Sequence, residues 1–182
     1  MSRRSSGIFA ALALPLATAF AFAFPLAQAG DAAATTIQTT ATTVTGSPLE
    51  VKLTIDDATN PGHLVLTLAV SGPGATVADL RGFFAHVSNE SLLPGLTVSG
   101  PNVTGSSFLA NAVTMVGGGN TMSGVGAAAP FDLGIALGTP GIGSDDLRQV
   151  TFTLSHATAS LDASFFTGQQ FGVRATSVGT GR

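Results

Sequence analysis

The residues best suited to chemistry are two adjacent acids and three scattered histidines. Asp145 and Asp146 follow a Gly/Pro-rich loop in GTPGIGSDDLRQVTFTLSHA, residues 138–157. Two carboxylates, the Ser144 hydroxyl and several glycine carbonyls suit calcium, a hard cation that takes oxygen ligands. Asp132, Asn120 or the pair Asp56 and Asp57 would have to join them in space. Against this, adjacent residues of an extended chain point to opposite faces. The D-x-[DN]-x-[DN]-G pattern of a calcium loop also occurs nowhere. The competing reading is a solvated turn that caps the next strand and blunts a sheet edge. Asp56-Asp57 in IDDATNPG poses the same choice, and Asx-turn chemistry accounts for that pair. Calcium at Asp145 and Asp146 is thus the one cofactor candidate; no other cofactor is expected.

His63, His86 and His156 form neither H-x-x-x-H nor H-E-x-x-H, the local spacings of zinc ligands. A three-histidine site would have to assemble in space. Three independent strand-end histidines are the simpler expectation. Nucleophilic catalysis needs an activated Ser or Cys. Cysteine is absent, and no G-x-S-x-G elbow occurs. A glycosidase needs two carboxyls at a fixed separation, and nothing marks such a pair among the ten acids. GIGSDD and GGGNTMSGVG lack the G-x-x-x-x-G-K-[ST] and G-x-G-x-x-G patterns of phosphate loops. A hydrolase whose residues converge only in space is the last-ranked reading. Phe165 and Phe166 are candidate partner-contact residues: adjacent rings in a short helical turn can bury one and expose the other, or both can plug the core. Trp and Tyr are absent, which removes the usual sugar-stacking platform and the usual interface anchors.

These side chains need a scaffold, and the first residues are not part of it. Arg3 and Arg4, the apolar GIFAALALPLATAFAFAF and the small-x-small Ala27-Gln28-Ala29 make a tripartite secretory signal peptide. Cleavage is expected after Ala29, and a secreted location, periplasmic or extracellular, follows. Pro15 and Pro25 interrupt and end the apolar run, which is marginal for the roughly 20 residues of a membrane span. Removing 29 of the 182 residues leaves 153, suited to one domain. Without cysteines, stability must come from packing rather than disulfides. The leader holds two of the seven basic residues and no acid, so five bases face ten acids in the exported chain. No basic patch suits a nucleic-acid backbone. No later run is long and apolar enough to span a bilayer.

Residues 30–46, GDAAATTIQTTATTVTG, read as a flexible Ala/Thr-rich arm with room for an edge strand at its end. From there the pattern is strand and turn, giving a single β-sandwich domain over 47–182. LEVKLTI alternates Leu49, Val51, Leu53 and Ile55 against polar residues; HLVLTLAV does so through Leu64, Leu66, Leu68 and Val70. With DDATNPG between them, the two form a hairpin. Leu80 to Val87 is predicted as a strand with Phe83 or Phe84 facing inward. A turn or short helix from Asn89 to Gly95 follows, then a short strand LTVSG. SSFLANAVTMV holds one or two more strands, and GGGNTMSGVGAAAP reads as a loop. FDLGIALG presents Phe131, Leu133, Ile135 and Leu137; LRQVTFTLSHA presents Val150, Phe152 and Leu154. SLDASFF is a helical turn capped by Ser160. QQFGVRATSVG ends the set with Phe171, Val173 and Ala175 on one side. The fold class is therefore all-β: an antiparallel β-sandwich, jelly-roll or cohesin-like, of about eight to ten strands.

DLRGFFAHVSNESLLPGLTVSGPNVTG, GTPGIGSDDLRQVTFTLSHA and GQQFGVRATSVG, in that order, resemble an uncharacterised secreted bacterial β-sandwich domain. Relatives of that domain occur in exported proteins with a PEP-CTERM sorting tail or with calcium-binding RTX-type repeats. The resemblance covers Ala78 to Gly179 and implies export and a sandwich fold, but no particular activity. This sequence has no PEP motif, hydrophobic tail helix or GGxGxDxUx repeat, so sorting by that route is not expected. The layout is also similar to cohesin-like and carbohydrate-binding sandwiches, a likeness of fold that does not fix function. The functional expectation is an exported structural or adhesive module of a bacterial cell surface or matrix. The alternative is a module binding an unknown protein or polysaccharide partner, with calcium as a structural ion.

Overall fold

In the computed structural model, residues 35–42, 49–71, 77–117, 119–122, 130–139 and 146–179 are described. Residues 1–29, read above as a signal peptide, and Asp145 lie outside them. Among the described residues are eleven strands: β1 (Thr36–Thr42), β2 (Glu50–Asp56), β3 (Leu64–Ser71), β4 (Val77–Ala85), β5 (Leu96–Ser99) and β6 (Val103–Val113), then β7 (Met115–Val116), β8 (Asn120–Thr121), β9 (Phe131–Leu137), β10 (Gln149–His156) and β11 (Phe171–Gly179). Five form one antiparallel sheet in the order β1-β2-β3-β10-β5, and four form a second in the order β11-β4-β9-β6. β7 and β8 pair as a small ribbon. The chain passes from one sheet to the other between β3 and β4, β4 and β5, β5 and β6, β9 and β10, and β10 and β11, the crossing pattern of a jelly roll.

The alternation read in the sequence explains the main core. Val51, Leu53 and Ile55 of β2, Leu64, Leu66 and Leu68 of β3, and Val150, Phe152 and Leu154 of β10 project from the five-stranded sheet. They meet Leu80, Phe83 and Ala85 of β4 and Leu133, Ile135 and Leu137 of β9. Each such side chain contributes about 1.5–3 kcal/mol when fully buried. The β2–β3 hairpin forms as its pattern predicts, in register from Glu50 opposite Ser71 to Asp56 opposite Val65. Phe171, Val173 and Ala175 of β11 pack against this core from its side.

Four local features depart from the sequence reading. Thr36–Thr42, inside the segment read as a flexible arm with room for an edge strand only at its end, is an edge strand along seven residues: Thr36 pairs with Asp56 and Thr42 with Glu50. Its Thr-rich, β-branched composition suits a half-exposed strand. Second, Phe83 and Phe84 are both buried, because β4 is covered on both faces. Phe84 joins Val113, Val116, Met122, Phe131 and Ala136 in a second cluster on the outer side of the four-stranded sheet. Third, Phe131 belongs to that cluster and not to the main core. Opposite it, β6 bulges: Phe108 pairs with Leu133 and Val113 with Phe131, so four residues stand against Asp132 alone. A bulge of this kind bends a strand and re-aims its side chains. Fourth, the 3-10 turn at Ala163–Phe166 is capped by Asp162, which accepts from the Ser164 N–H, rather than by Ser160. The 3-10 turn at Glu90–Gly95 lies where the sequence predicts a turn or short helix and is capped by Asn89. Among the described residues no helix is long and apolar enough to cross a membrane.

Candidate functional site

The three histidines have three separate sets of partners. His63, just before β3, lies 2.8 Å through Nδ1 from the Ser155 hydroxyl. His86, just after β4, lies 3.2 Å through Nδ1 from Asp132 Oδ2, and its ring centroid is 5.0 Å from that of Phe131. His156 ends β10, where its Nδ1 accepts the amide N–H groups of Thr158 and Ala159 at 3.1 and 2.9 Å. Among the described residues, no three His, Asp or Glu side chains gather as a metal-holding group.

The acids are engaged with backbone. Asp132, in β9, is buried and accepts the amides of Val87 (2.9 Å, Oδ2) and Asn111 (2.7 Å, Oδ1). Asn111 sits in the β6 bulge at φ 49°, a left-handed conformation that asparagine tolerates, and its side-chain amide donates to Glu90 (2.7 Å). Asp132 therefore fastens the ends of β4 and β6 to β9. Asp56 closes an Asx turn, accepting from the amides of Ala58 and Thr59 and from the Thr59 hydroxyl. The Thr59 hydroxyl first, and then the Ala58 amide, hold the Asp56 carboxyl below its ordinary value. Asp57 accepts from Thr35 (2.5 Å) and Ala163 (2.9 Å), joining β1's start to the second 3-10 turn. The two members of this pair thus point to different tasks, and Asx-turn chemistry covers only Asp56. Asn120 is buried, and its side-chain amide donates to Gly117 O (2.8 Å).

Of the acids at the head of β10, Asp145 lies outside the described residues and Asp146 is half-buried. The residues just after them span both sheets. Leu147 N–H donates to Asp79 Oδ1 (3.2 Å), Leu147 O accepts from Leu80 N–H (2.9 Å), and Arg148 O accepts from Val70 N–H (2.8 Å). Asp79 in turn faces Arg81 at 3.6 Å, both side chains buried. That ion pair was not foreseen; its signal, an Asp-x-Arg in an otherwise apolar strand, is weak by itself. Phe165 and Phe166 lie in the 3-10 turn Ala163–Phe166. Both are buried, at 4% and 1% exposure, edge to face with centroids 5.1 Å apart. The tight 3-10 turn directs both rings to the core.

The concave feature that sequence reasoning missed lies along one edge of β10. A cleft of about 530 Å³ is lined by Ser99–Asn102 on one wall and by Gln149–Thr153 on the other. β5 covers only the second half of β10, pairing from Thr153 opposite Ser99 to His156 opposite Leu96. Beyond Ser99 the chain turns away at Gly100-Pro101, closed by a Val103 N–H to Gly100 O bond (3.2 Å) and held by Gly138 N–H to Asn102 O (2.8 Å). A side chain at position 100 would sit 3.0 Å from Thr151 O, so glycine lets the chain pass close to β10 before leaving it. The available signal was Pro101, which cannot donate to a ladder and ends β5.

No family model matches this chain, and the searches of curated proteins and solved structures likewise found no match.

Proposed function

We propose that this chain is an exported, non-catalytic structural or adhesive module of a bacterial cell surface or matrix. The observation that carries the reading is how its reactive side chains are used. Asp56, Asp57 and Asp132 hold backbone amides, each histidine has its own separate partner, and no titratable side chain lines the β10 cleft. An acid–base mechanism needs such groups converging on one reacting atom. The signal peptide and the resemblance to PEP-CTERM- and RTX-associated exported domains support the surface location.

Expression with fractionation tests this directly. The expected result is a mature chain beginning at Gly30, found in the periplasm or medium or retained at the surface, and inert toward glycoside, ester and peptide substrates. Turnover abolished by changing one histidine or acid would overturn the reading. The second reading, a binding module for a protein or polysaccharide, is favoured by the cleft beside β10. Calcium at Asp145 and Asp146 belongs to that second reading. Adding calcium is expected to leave the Tm unchanged; a rise in Tm lost in Asp145→Ala would establish the ion.

A further inference from the structure

The half of β10 that β5 leaves uncovered is a strand edge with its main-chain groups aimed into a cleft. In an antiparallel ladder, hydrogen-bonded pairs alternate with non-bonded ones. Val70 N–H bonds Arg148 O, so within the β3–β10 register the bonded residues of β10 are Val150, Phe152 and Leu154. Ala157 N–H bonds Gly95 O, so toward β5 the bonded residues are Ser155 and Thr153. The next two in that series are Thr151 and Gln149. Their N–H and C=O groups point to the side where β5 would continue, but there the chain has turned away at Gly100-Pro101. Thr151 would stand opposite Pro101, which has no N–H to give. The side chain of Thr151 is turned elsewhere, to the Thr67 hydroxyl at 3.0 Å on the outer face of the sheet.

We propose that this edge accepts an extended, uncharged peptide segment of a partner protein, added antiparallel to β10 in line with β5. Three observations select that occupant. The groups on offer are main-chain donors and acceptors at a two-residue period, which an extended polypeptide complements and a sugar does not. Next, the same edge already holds an extended segment, β5, over Thr153–His156, so the geometry for pairing is in place. Finally, a cleft of about 530 Å³ lies directly beside this edge, between Ser99–Asn102 and Gln149–Thr153. No charged side chain lines it, so charged peptides gain no ion pair there. Among the other edge strands, β6 of the second sheet has a bulge at residues 109–112 that breaks its ladder, a device that protects exposed edges. In the incoming strand, alternate side chains face Val150 and Phe152 on one side and the Thr151–Thr153 hydroxyls on the other. Alternating β-branched apolar and hydroxyl residues fit that pattern.

This inference names a ligand class for the binding role proposed above and rests on that role. The probe is an acetylated, amidated hexapeptide of alternating threonine and valine, titrated into the 15N-labelled exported chain. Saturable shifts and slowed amide exchange are expected at Gln149 and Thr151. N-methylating the peptide amides that face β10 should weaken binding about tenfold or more, the loss of one or two main-chain hydrogen bonds. Methylating the alternate amides should leave it unchanged, a comparison that needs no variant of the protein. Thr151→Pro, which removes an edge N–H, should abolish the shifts. Absence of saturable shifts at these amides, or equal binding of the two methylated peptides, would overturn the proposal. So would exchange protection that rises with protein concentration alone, or the same shifts produced by a neutral oligosaccharide instead of the peptide. A failed titration leaves surface retention and export as they are; a failed fractionation leaves the titration unaffected, so the two readings fall separately.

Discussion

At Asp56 a single carboxylate gathers two amides and a hydroxyl into one turn. That turn begins the connection of the β2–β3 hairpin, which supplies six buried residues of the main core. Because Thr59 and Ala58 hold its pKa below the ordinary 3.8, the ionised form is favoured in the folded state. A carboxyl whose folded pKa lies below its unfolded value adds stability above the unfolded pKa and loses it as the pH falls through the folded one. Asp56→Asn, which keeps an Asx turn but cannot ionise, should therefore have a lower Tm than the parent at pH 7. The gap should close as the pH drops below 3.8. Melting curves from pH 7 to pH 2 check this; a gap of constant size would show that charge plays no part. This role was legible in IDDATNPG, because Asx turns are local. The buried role of Asp132 was not, since its amide partners lie 45 and 21 residues away.

The join between the first 3-10 turn and β10 shows how elements constrain one another. The turn Glu90–Gly95 leads straight into β5, and Gly95 lies under the His156 ring so closely that a Cβ there would overlap it. The ring cannot swing aside freely, because its Nδ1 holds the amides of Thr158 and Ala159. Gly95→Ala should cost about 1–3 kcal/mol, the usual penalty of overpacking. Most of that cost should vanish when the substitution is made in a His156→Ala background. A double-mutant cycle by urea unfolding measures the coupling, and additive costs would show that the two do not touch energetically. The sequence marked Pro94-Gly95 as the end of a turn, correctly. It gave no sign that the glycine is needed for a neighbour 61 residues on. Likewise, alternation in LRGFFAHV identified a strand but could not show that both of its faces are covered.

Across the whole molecule, five crossings between sheets make the two layers interdependent. The second cluster sits on the outer side of the four-stranded sheet, yet Phe84 and Ala136 belong to β4 and β9, whose other faces build the main core. The two clusters should consequently melt together. In urea, far-UV circular dichroism and the methyl resonances of Val116, Met122, Leu66 and Ile135 should share one midpoint, as a two-state domain requires. Earlier loss of the Val116 and Met122 signals would show that the outer cluster is a separable layer. Folding should take milliseconds to seconds, the range of sandwiches dominated by non-local pairs.

The sequence by itself determined most of the strands and their inward faces, the hairpin of β2 and β3 and the antiparallel sandwich class. These follow from a two-residue period and local turn chemistry, which need no knowledge of distant residues. Tertiary structure alone decided which strands carry apolar side chains on both faces, which acids hold distant amides, and where Phe165 and Phe166 point. It also decided that β5 stops short of β10's first half and leaves a cleft. Each of these depends on contacts between segments far apart in the chain, where neither periodicity nor propensity carries information.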